Sequence, residues 1–319
     1  MPNYTKGVLF CLIATISWGA MFPVMNSALL HIDPFTFTSL RYLIAGLAFL
    51  ALLIWREGTA ALRMTGERVG LAWFFGTAGF AGFGFLVFLG QQLAGKEGAL
   101  TASITMATQP MLGLLVNWMI RKIAPPVYSF LFILLSFCGV ILVVTKGDLL
   151  LYIHEPQSLT SNLLILLGAL CWVTYTIGAT FFPKWSPYKY TTVTTALGLT
   201  SVFTINGILY LTGTVAVPSL QGLISILPHL AYMSLIAGFV GVLSWNIGNK
   251  ILTPLNGVLF MDVVPLTAFI ISSLQGVVPV HAQLLGGSFT ALALILNNLY
   301  LRTRQTGTKK ILTTEVSRI

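Results

Sequence analysis

GVLFCLIATISWGAMFPVMNSAL, residues 7–29, carries no charged side chain along its length. A helix needs roughly 20 mostly apolar residues to cross the hydrocarbon core of a bilayer, so this run is long enough to span one. It is too long for the apolar region of a secretory signal and lacks a convincing cleavage site, so it reads as a retained first span. The rest of the chain has the same character. Its 319 residues are 56% hydrophobic and 8% charged, with a mean hydropathy of +0.89. A soluble domain carries about 25% charged residues. So few charges cannot cover a water-facing surface, and lipid must be the solvent for most of the chain.

Further runs of this kind place ten spans at 7–29, 35–55, 70–93, 98–120, 127–146, 160–182, 190–212, 228–250, 254–275 and 281–301. Helices are expected throughout, because a backbone exposed to lipid must satisfy its own hydrogen bonds and the runs lack period-two alternation. The charges test the count. If both termini lie in the cytoplasm, the segments on that side hold Lys6, Arg56, Arg63, Arg68, Arg121, Lys122, Lys184, Lys189, Lys250, Arg302, Arg304, Lys309, Lys310 and Arg318. The opposite segments hold only Lys96 and Lys146. Positive loops stay inside, so this asymmetry orients the chain and reads the basic tail, 304–319, as a cytoplasmic anchor. A net charge of +9 distributed in this way argues against nucleic acid as a partner.

The chain also repeats itself. ATISWGAMF (14–22) is answered by GALCWVTYT (168–176), aligning Trp18 with Trp172 at an offset of 154. Asp33-Pro34 is answered by Ser186-Pro187, and MATQPMLGLL (106–115) by MDVVPLTAFI (261–270), which aligns Pro110 with Pro265. Near-equal offsets in chain order mark a duplication. The expected architecture is an all-α integral membrane protein of ten transmembrane helices, built as two inverted five-helix repeats, 1–150 and 151–303, around a central cavity. Such symmetry is a common route to alternating access.

Candidate functional residues follow from what is rare in lipid. Pro110 and Pro265 each remove a backbone N–H inside a span, so both are expected to kink their helices. They read as hinges beside a midplane site or as ordinary membrane prolines. Asp262 is the one acid placed inside a span. An ionisable group there is a functional candidate by default, either for a cationic substrate group or for a coupling proton. A structural role beside a polar neighbour is the alternative. Arg41 lies two turns into the second span and is expected to snorkel outward or to pair with Asp33. Binding a substrate carboxylate is the lesser reading. Trp18, Trp172, Tyr175, Trp245 and Asn246 suit the lining of a polar or aromatic ligand site, with interfacial anchoring as the rival for each. The glycines of span 3, Gly76, Gly79, Gly82 and Gly84, read as close-packing positions. Thr101, Thr105 and Thr108 form a weak polar stripe on span 4.

Cys11, Cys138 and Cys171 lie in apolar stretches without metal spacing, and His31, His154, His229 and His281 fall in separate loops or helix starts. No metal and no cofactor is therefore expected. The chain has no GxxxxGK[ST], HExxH or GxSxG motif, so neither an ATP-driven pump nor a hydrolase is indicated.

The ordered set Ser17–Gly19 (SWG), Arg41 in SLRYLIAG, Pro110 in TQP, Cys171–Tyr175 (CWVTY), Trp245–Gly248 (WNIG) and Val263–Pro265 (VVP) resembles the drug/metabolite transporter superfamily, EamA type, over about residues 5–302. The resemblance implies a central cavity between two halves and export of amino acids, other metabolites or toxic compounds. The expected function is a secondary transporter of the cell inner membrane, moving a small, amino-acid-like metabolite outward, with protons through Asp262 as a candidate coupling ion. A flippase of a lipid-linked carrier, an intramembrane enzyme and a non-transporting sensor or assembly subunit are the rivals.

Overall fold

The computed structural model describes residues 2–122, 127–148, 156–252, 257, 260–261, 263–277, 279–293, 295–296 and 300. Asp262, His154 and the basic tail lie outside the described residues. The described chain is helical with short connections. The main helices are α1 (Pro2–Ala28), α2 (Pro34–Glu57), α3 (Val69–Leu93), α4 (Gly98–Met106), α5 (Gln109–Arg121), α6 (Val127–Thr145), α7 (Pro156–Gly178), α8 (Pro187–Leu211), α9 (Leu227–Leu252) and α10 (Val263–Leu274), and residues 281–293 are also helical.

Six of these helices are long and apolar enough to cross a membrane, and the bent pair α4–α5 makes a seventh. Helix occurs in each of the ten expected segments, but α10 is a short apolar helix, and ten full spans are not reached among the described residues. Side chains such as Leu47, Leu131 and Ile270 stand exposed on the outer faces. In a membrane these faces meet acyl chains, so their exposure carries no solvation penalty.

The duplication is visible in the backbone. Asp33 caps α2, accepting from Phe35 N at 2.9 Å and Thr36 N at 2.8 Å, with Pro34 in the first turn. Ser186 caps α8, accepting from Lys189 N at 2.9 Å, with Pro187 in the first turn. A side-chain acceptor followed by proline satisfies orphan amides and starts a helix cleanly. Helix α3 widens to π geometry at Thr77–Gly82, and α9 does so at Tyr232–Gly241. The two bulges begin 155 residues apart.

Each half packs on the other reciprocally. Glycines on α3 admit α7: Gly79 abuts the Tyr175 ring, Gly82 abuts Cys171, and Gly90 meets Ser161 and Ile165. Glycines on α9 admit α1 in the same way, with Gly241 against Trp18 and Gly248 against Cys11. Helices α2 and α8 close the pair through Asn206 Nδ2 to Ser39 Oγ (2.9 Å) and Thr192 Oγ1 to the Phe49 carbonyl (3.1 Å). Gly76 on α3 lies so close to the Thr194 carbonyl on α8 that a methyl group has no room. Gly76→Ala is therefore expected to destabilise the protein by about 1–3 kcal/mol through overpacking, read as a lower melting temperature in detergent. Gly207→Ala, at a glycine with open space around it, is the control.

The loops sort by charge. Lys189 Nζ reaches the Arg63 carbonyl (3.2 Å) and Glu67 (3.5 Å), and Lys250 Nζ reaches the Pro183 carbonyl (2.7 Å), so three basic segments share one face. The opposite face holds the Glu97–Lys146 ion pair (2.7 Å) and the His229–Ser27 contact (3.1 Å).

Candidate functional site

The aromatic residues singled out in the sequence converge. Trp18 on α1 lies edge-on to Trp172 on α7 and tilted against Trp245 on α9, both at 5.2 Å between ring centroids. Trp172 continues to Tyr175 at 5.0 Å and to Phe83 at 5.2 Å. Each polar edge that is satisfied has a specific partner. Trp18 Nε1 donates to the Ala237 carbonyl (3.0 Å), inside the π segment of α9, where the ladder is irregular. Trp245 Nε1 donates to Thr176 Oγ1 (3.0 Å). Asn246 Nδ2 donates to Tyr175 Oη (2.7 Å) and Thr191 Oγ1 (2.8 Å), and Tyr190 Oη donates to the Tyr175 carbonyl (2.6 Å). Trp18→Phe keeps the ring but leaves that carbonyl without its indole donor. The expected cost is about 1–3 kcal/mol, measured as a shift in detergent unfolding.

Beside this cluster is a closed central cavity with about 10 Å³ open to the centre of a water molecule. That is room for about one water. Trp18 and Trp172 line it together with Arg41, Tyr42, Gln109 and Met106. Two larger clefts approach it from opposite faces. The cleft on the basic face, about 260 Å³ by the same measure, is lined by Trp185, Tyr190, Asn246 and Lys250. The cleft on the other face, about 580 Å³, is lined by His31, Asp33, Gln92 and Val217. A chain of contacts links the basic cleft to the cavity: Asn246 lines the cleft, bonds to Tyr175, and Tyr175 meets Trp172, which lines the cavity. The wall toward the other cleft includes Phe88, under Arg41, and its neighbour Leu89, which lines that cleft.

Arg41 departs from the expectation that it snorkels or pairs with Asp33. Its side chain is buried at 1% exposure, and Asp33 is occupied in capping α2. The guanidinium donates to Tyr42 Oη (2.9 Å), lies 3.7 Å from Met21 Sδ, and stacks over the Tyr42 and Phe88 rings at 4.3 and 5.1 Å. It meets no carboxylate among the described residues, and its Nε has no hydrogen-bond partner. Buried Gln109 donates to Met106 Sδ (3.0 Å), but its Oε1 is unpartnered, as is Trp172 Nε1.

Of the other expected positions, Trp245 and Tyr175 are buried in the cluster and Asn246 faces the basic cleft rather than the central cavity. Pro110 sits in the first turn of α5, just beyond a 50° bend between α4 and α5. A proline there forfeits little, because first-turn amides lack intrahelical acceptors. Pro265 lies in the first turn of α10. Thr105 and Thr108 bond back to the Thr101 and Thr105 carbonyls at 2.8 Å each, the helix-internal alternative. Tyr42, Gln109 and Met106 were not anticipated as lining residues. For Gln109 the signal was its place directly before Pro110.

Two reciprocally packed halves of long apolar helices around a buried aromatic centre are the build of a multi-pass membrane protein. The family model for the EamA-like transporter family matches residues 5–145 and again residues 159–299, and the chain belongs to this family. It is 38% identical over 296 residues to the uncharacterized transporter YrdR of Bacillus subtilis (strain 168), covering 93% of this chain and 92% of the relative. It is 25% identical over 300 residues to the uncharacterized transporter YyaM of the same organism, covering 93% and 94%. A crystal structure of a protein 19% identical in sequence superposes with a TM-score of 0.64, covering 93% of this chain and 98% of the other, which supports the fold.

Proposed function

We propose that this transporter is a secondary carrier that exports a small, amino-acid-like organic metabolite across the cell inner membrane by alternating access. In this reading ten helices form two inverted repeats, 1–150 and 151–303, with both termini and the 304–319 tail in the cytoplasm. The basic cleft is then the cytoplasmic vestibule. Trp18, Trp172, Tyr175, Trp245 and Asn246 serve the binding region, Pro110 and Pro265 are its hinges, and Asp262 carries a substrate cation or a coupling proton. The observation that carries the reading is a small cavity among buried residues, Arg41 and Gln109 included, with larger clefts on the two opposite faces. A carrier needs one site that each face can reach in turn.

Purified protein in proteoliposomes should give saturable flux of some members of a panel of amino acids and related metabolites. Flux no faster than in protein-free liposomes, together with binding to a partner membrane protein, would favour a sensor or assembly subunit. If Asp262 relays protons, Asp262→Asn abolishes the pH dependence of that flux. An unchanged pH profile removes the role.

The flippase reading draws on one feature, an apolar groove between α2 and α8 lined by Leu43, Leu47, Leu50 and Leu199. The groove shares no lining residue with the central cavity, and it lacks the buried Arg41 and Gln109 that would meet a polar solute there.

A further inference from the structure

We propose that Arg41 is the anchor for a carboxylate on the substrate, and that Gln109 and Trp172 complete the subsite. This rests on the carrier reading above and names the chemistry of its cargo. A guanidinium stays charged in a protein, and burying it without a counter-ion costs several kcal/mol. The protein compensates Arg41 with one phenol, one thioether contact and two ring faces, and with no carboxylate among the described residues. Cation–π contact is worth about 2 kcal/mol when desolvated, which offsets part of that penalty.

The unmatched groups belong to residues that line the same cavity. Arg41 Nε and Trp172 Nε1 are buried donors without acceptors, and Gln109 Oε1 is a buried acceptor without a donor. They come from α2, α7 and α5, on both sides of the duplication, and all three residues line the central cavity. Buried polar groups are rarely left unpaired. A ligand that accepts from Arg41 and Trp172 and donates to Gln109 pairs all three. A carboxylate matches the fork of a guanidinium side-on, and a nearby ammonium or amide N–H matches Gln109. One guanidinium neutralises one negative charge, so a doubly charged phosphate would remain uncompensated in these aromatic surroundings. With room for about one water, the cavity must widen to admit the ligand's apolar body.

The test compares acids with isosteres whose carboxylate is replaced by an uncharged carboxamide, in proteoliposomes: leucine with leucinamide and phenylalanine with phenylalaninamide, where the ammonium is kept, and 4-methylpentanoate with its neutral amide, with 2-phenylethylamine as a cation without a carboxylate. Half-saturation in counterflow and quenching of intrinsic tryptophan fluorescence are the readouts. Wild-type protein should prefer the acids by about 100-fold or more, the scale for leaving a buried charge unpaired. Arg41→Gln should bring the acid-to-amide ratio to within about twofold, while Arg41→Lys keeps part of the preference because it retains charge without the fork. Gln109→Glu, which leaves Arg41 in place, supplies an internal counter-ion. It should weaken acid binding about tenfold or more and favour the amine. It therefore tests the proposal even if Arg41→Gln does not fold. Equal affinity for acids and amides in wild type, or an unchanged ratio in Arg41→Gln or Gln109→Glu, overturns it. Movement of amides or amine without acids removes the carboxylate anchor and leaves the carrier standing. No movement of any member removes both.

Discussion

Trp245→Ala is expected to cost the folded protein about 3–5 kcal/mol, the range for deleting a fully buried aromatic side chain. Trp245 is completely buried and heads the largest enclosed side chains. Its ring leans on Trp18 at 5.2 Å, and its indole N–H is bonded to Thr176 at 3.0 Å. Truncation opens a hole where α1, α7 and α9 meet, and it strips Thr176 of its donor. The neighbouring backbone cannot easily collapse into the hole, because the Gly241 contact already holds α9 against Trp18. Thermal unfolding in detergent, followed by loss of monodispersity, should show the largest drop in midpoint of any single tryptophan variant among Trp18, Trp118 and Trp245. Trp118, 38% exposed on an outer face, is the control and should change little. Equal shifts at 118 and 245 would mean that the cluster does not organise the core.

The second large effect is expected at the wall between the centre and the basic cleft. Asn246→Leu removes both amide hydrogens that hold Tyr175 Oη and Thr191 Oγ1. Thr191 Oγ1 keeps its bond to the Pro187 carbonyl (2.7 Å), so each oxygen loses one bond and not its only one. At about 1 kcal/mol for each lost bond, the opening of this wall shifts by about 30-fold. Water from the cleft should then reach Trp172, which lies 5.0 Å from Tyr175. The tryptophan emission should move to the red and become quenchable by iodide, and concentrative flux should collapse into a leak. Tyr175→Phe should show a weaker form of the same change, and the double variant less than the sum, because both members act through one hydrogen bond. Unchanged quenching in Asn246→Leu would place the barrier elsewhere.

What could be read from the sequence was whatever depended on short-range pattern. The offset linking Trp18 to Trp172 was legible as a repeat, and the two rings meet. Pro110 marked the place where α4 gives way to α5, and Asp33-Pro34 and Ser186-Pro187 marked paired helix starts. Arg41 was misread for a physical reason. Polar residues of α2, Thr36, Thr38, Ser39, Arg41 and Tyr42, crowd its first turns and point in several directions around the helix, so no single stripe says which face turns to the bundle centre. A lone arginine two turns from the helix start therefore looks free to snorkel. Only packing against α1 and α3, which supply Met21 and Phe88, fixes its inward direction. The same holds for Gln109 and for the π segments, which bond to helices far away in sequence: Thr77 Oγ1 to Ser201 Oγ at 2.7 Å, and the Ala237 carbonyl to Trp18 Nε1 at 3.0 Å. The reciprocal packing of α3 on α7 and α9 on α1 was implied by the duplication but not specified by it.

Alternating access requires that the central cavity be reached from each face in turn. Met106 lines it, is buried, and accepts a hydrogen bond from Gln109 at sulfur. A single cysteine in its place, in a variant lacking Cys11, Cys138 and Cys171, retains a sulfur atom there. The direct measurement is its rate of modification by a membrane-impermeant maleimide applied to one face and then to the other in oriented vesicles. Modification is expected from both faces, slowed on both by a transported solute. The basic-face reaction alone should be lost when Phe182 and Asn249, which line the basic cleft, are replaced by cysteines and cross-linked before labelling. Modification from one face only, or from neither under conditions that support flux, would contradict alternating access.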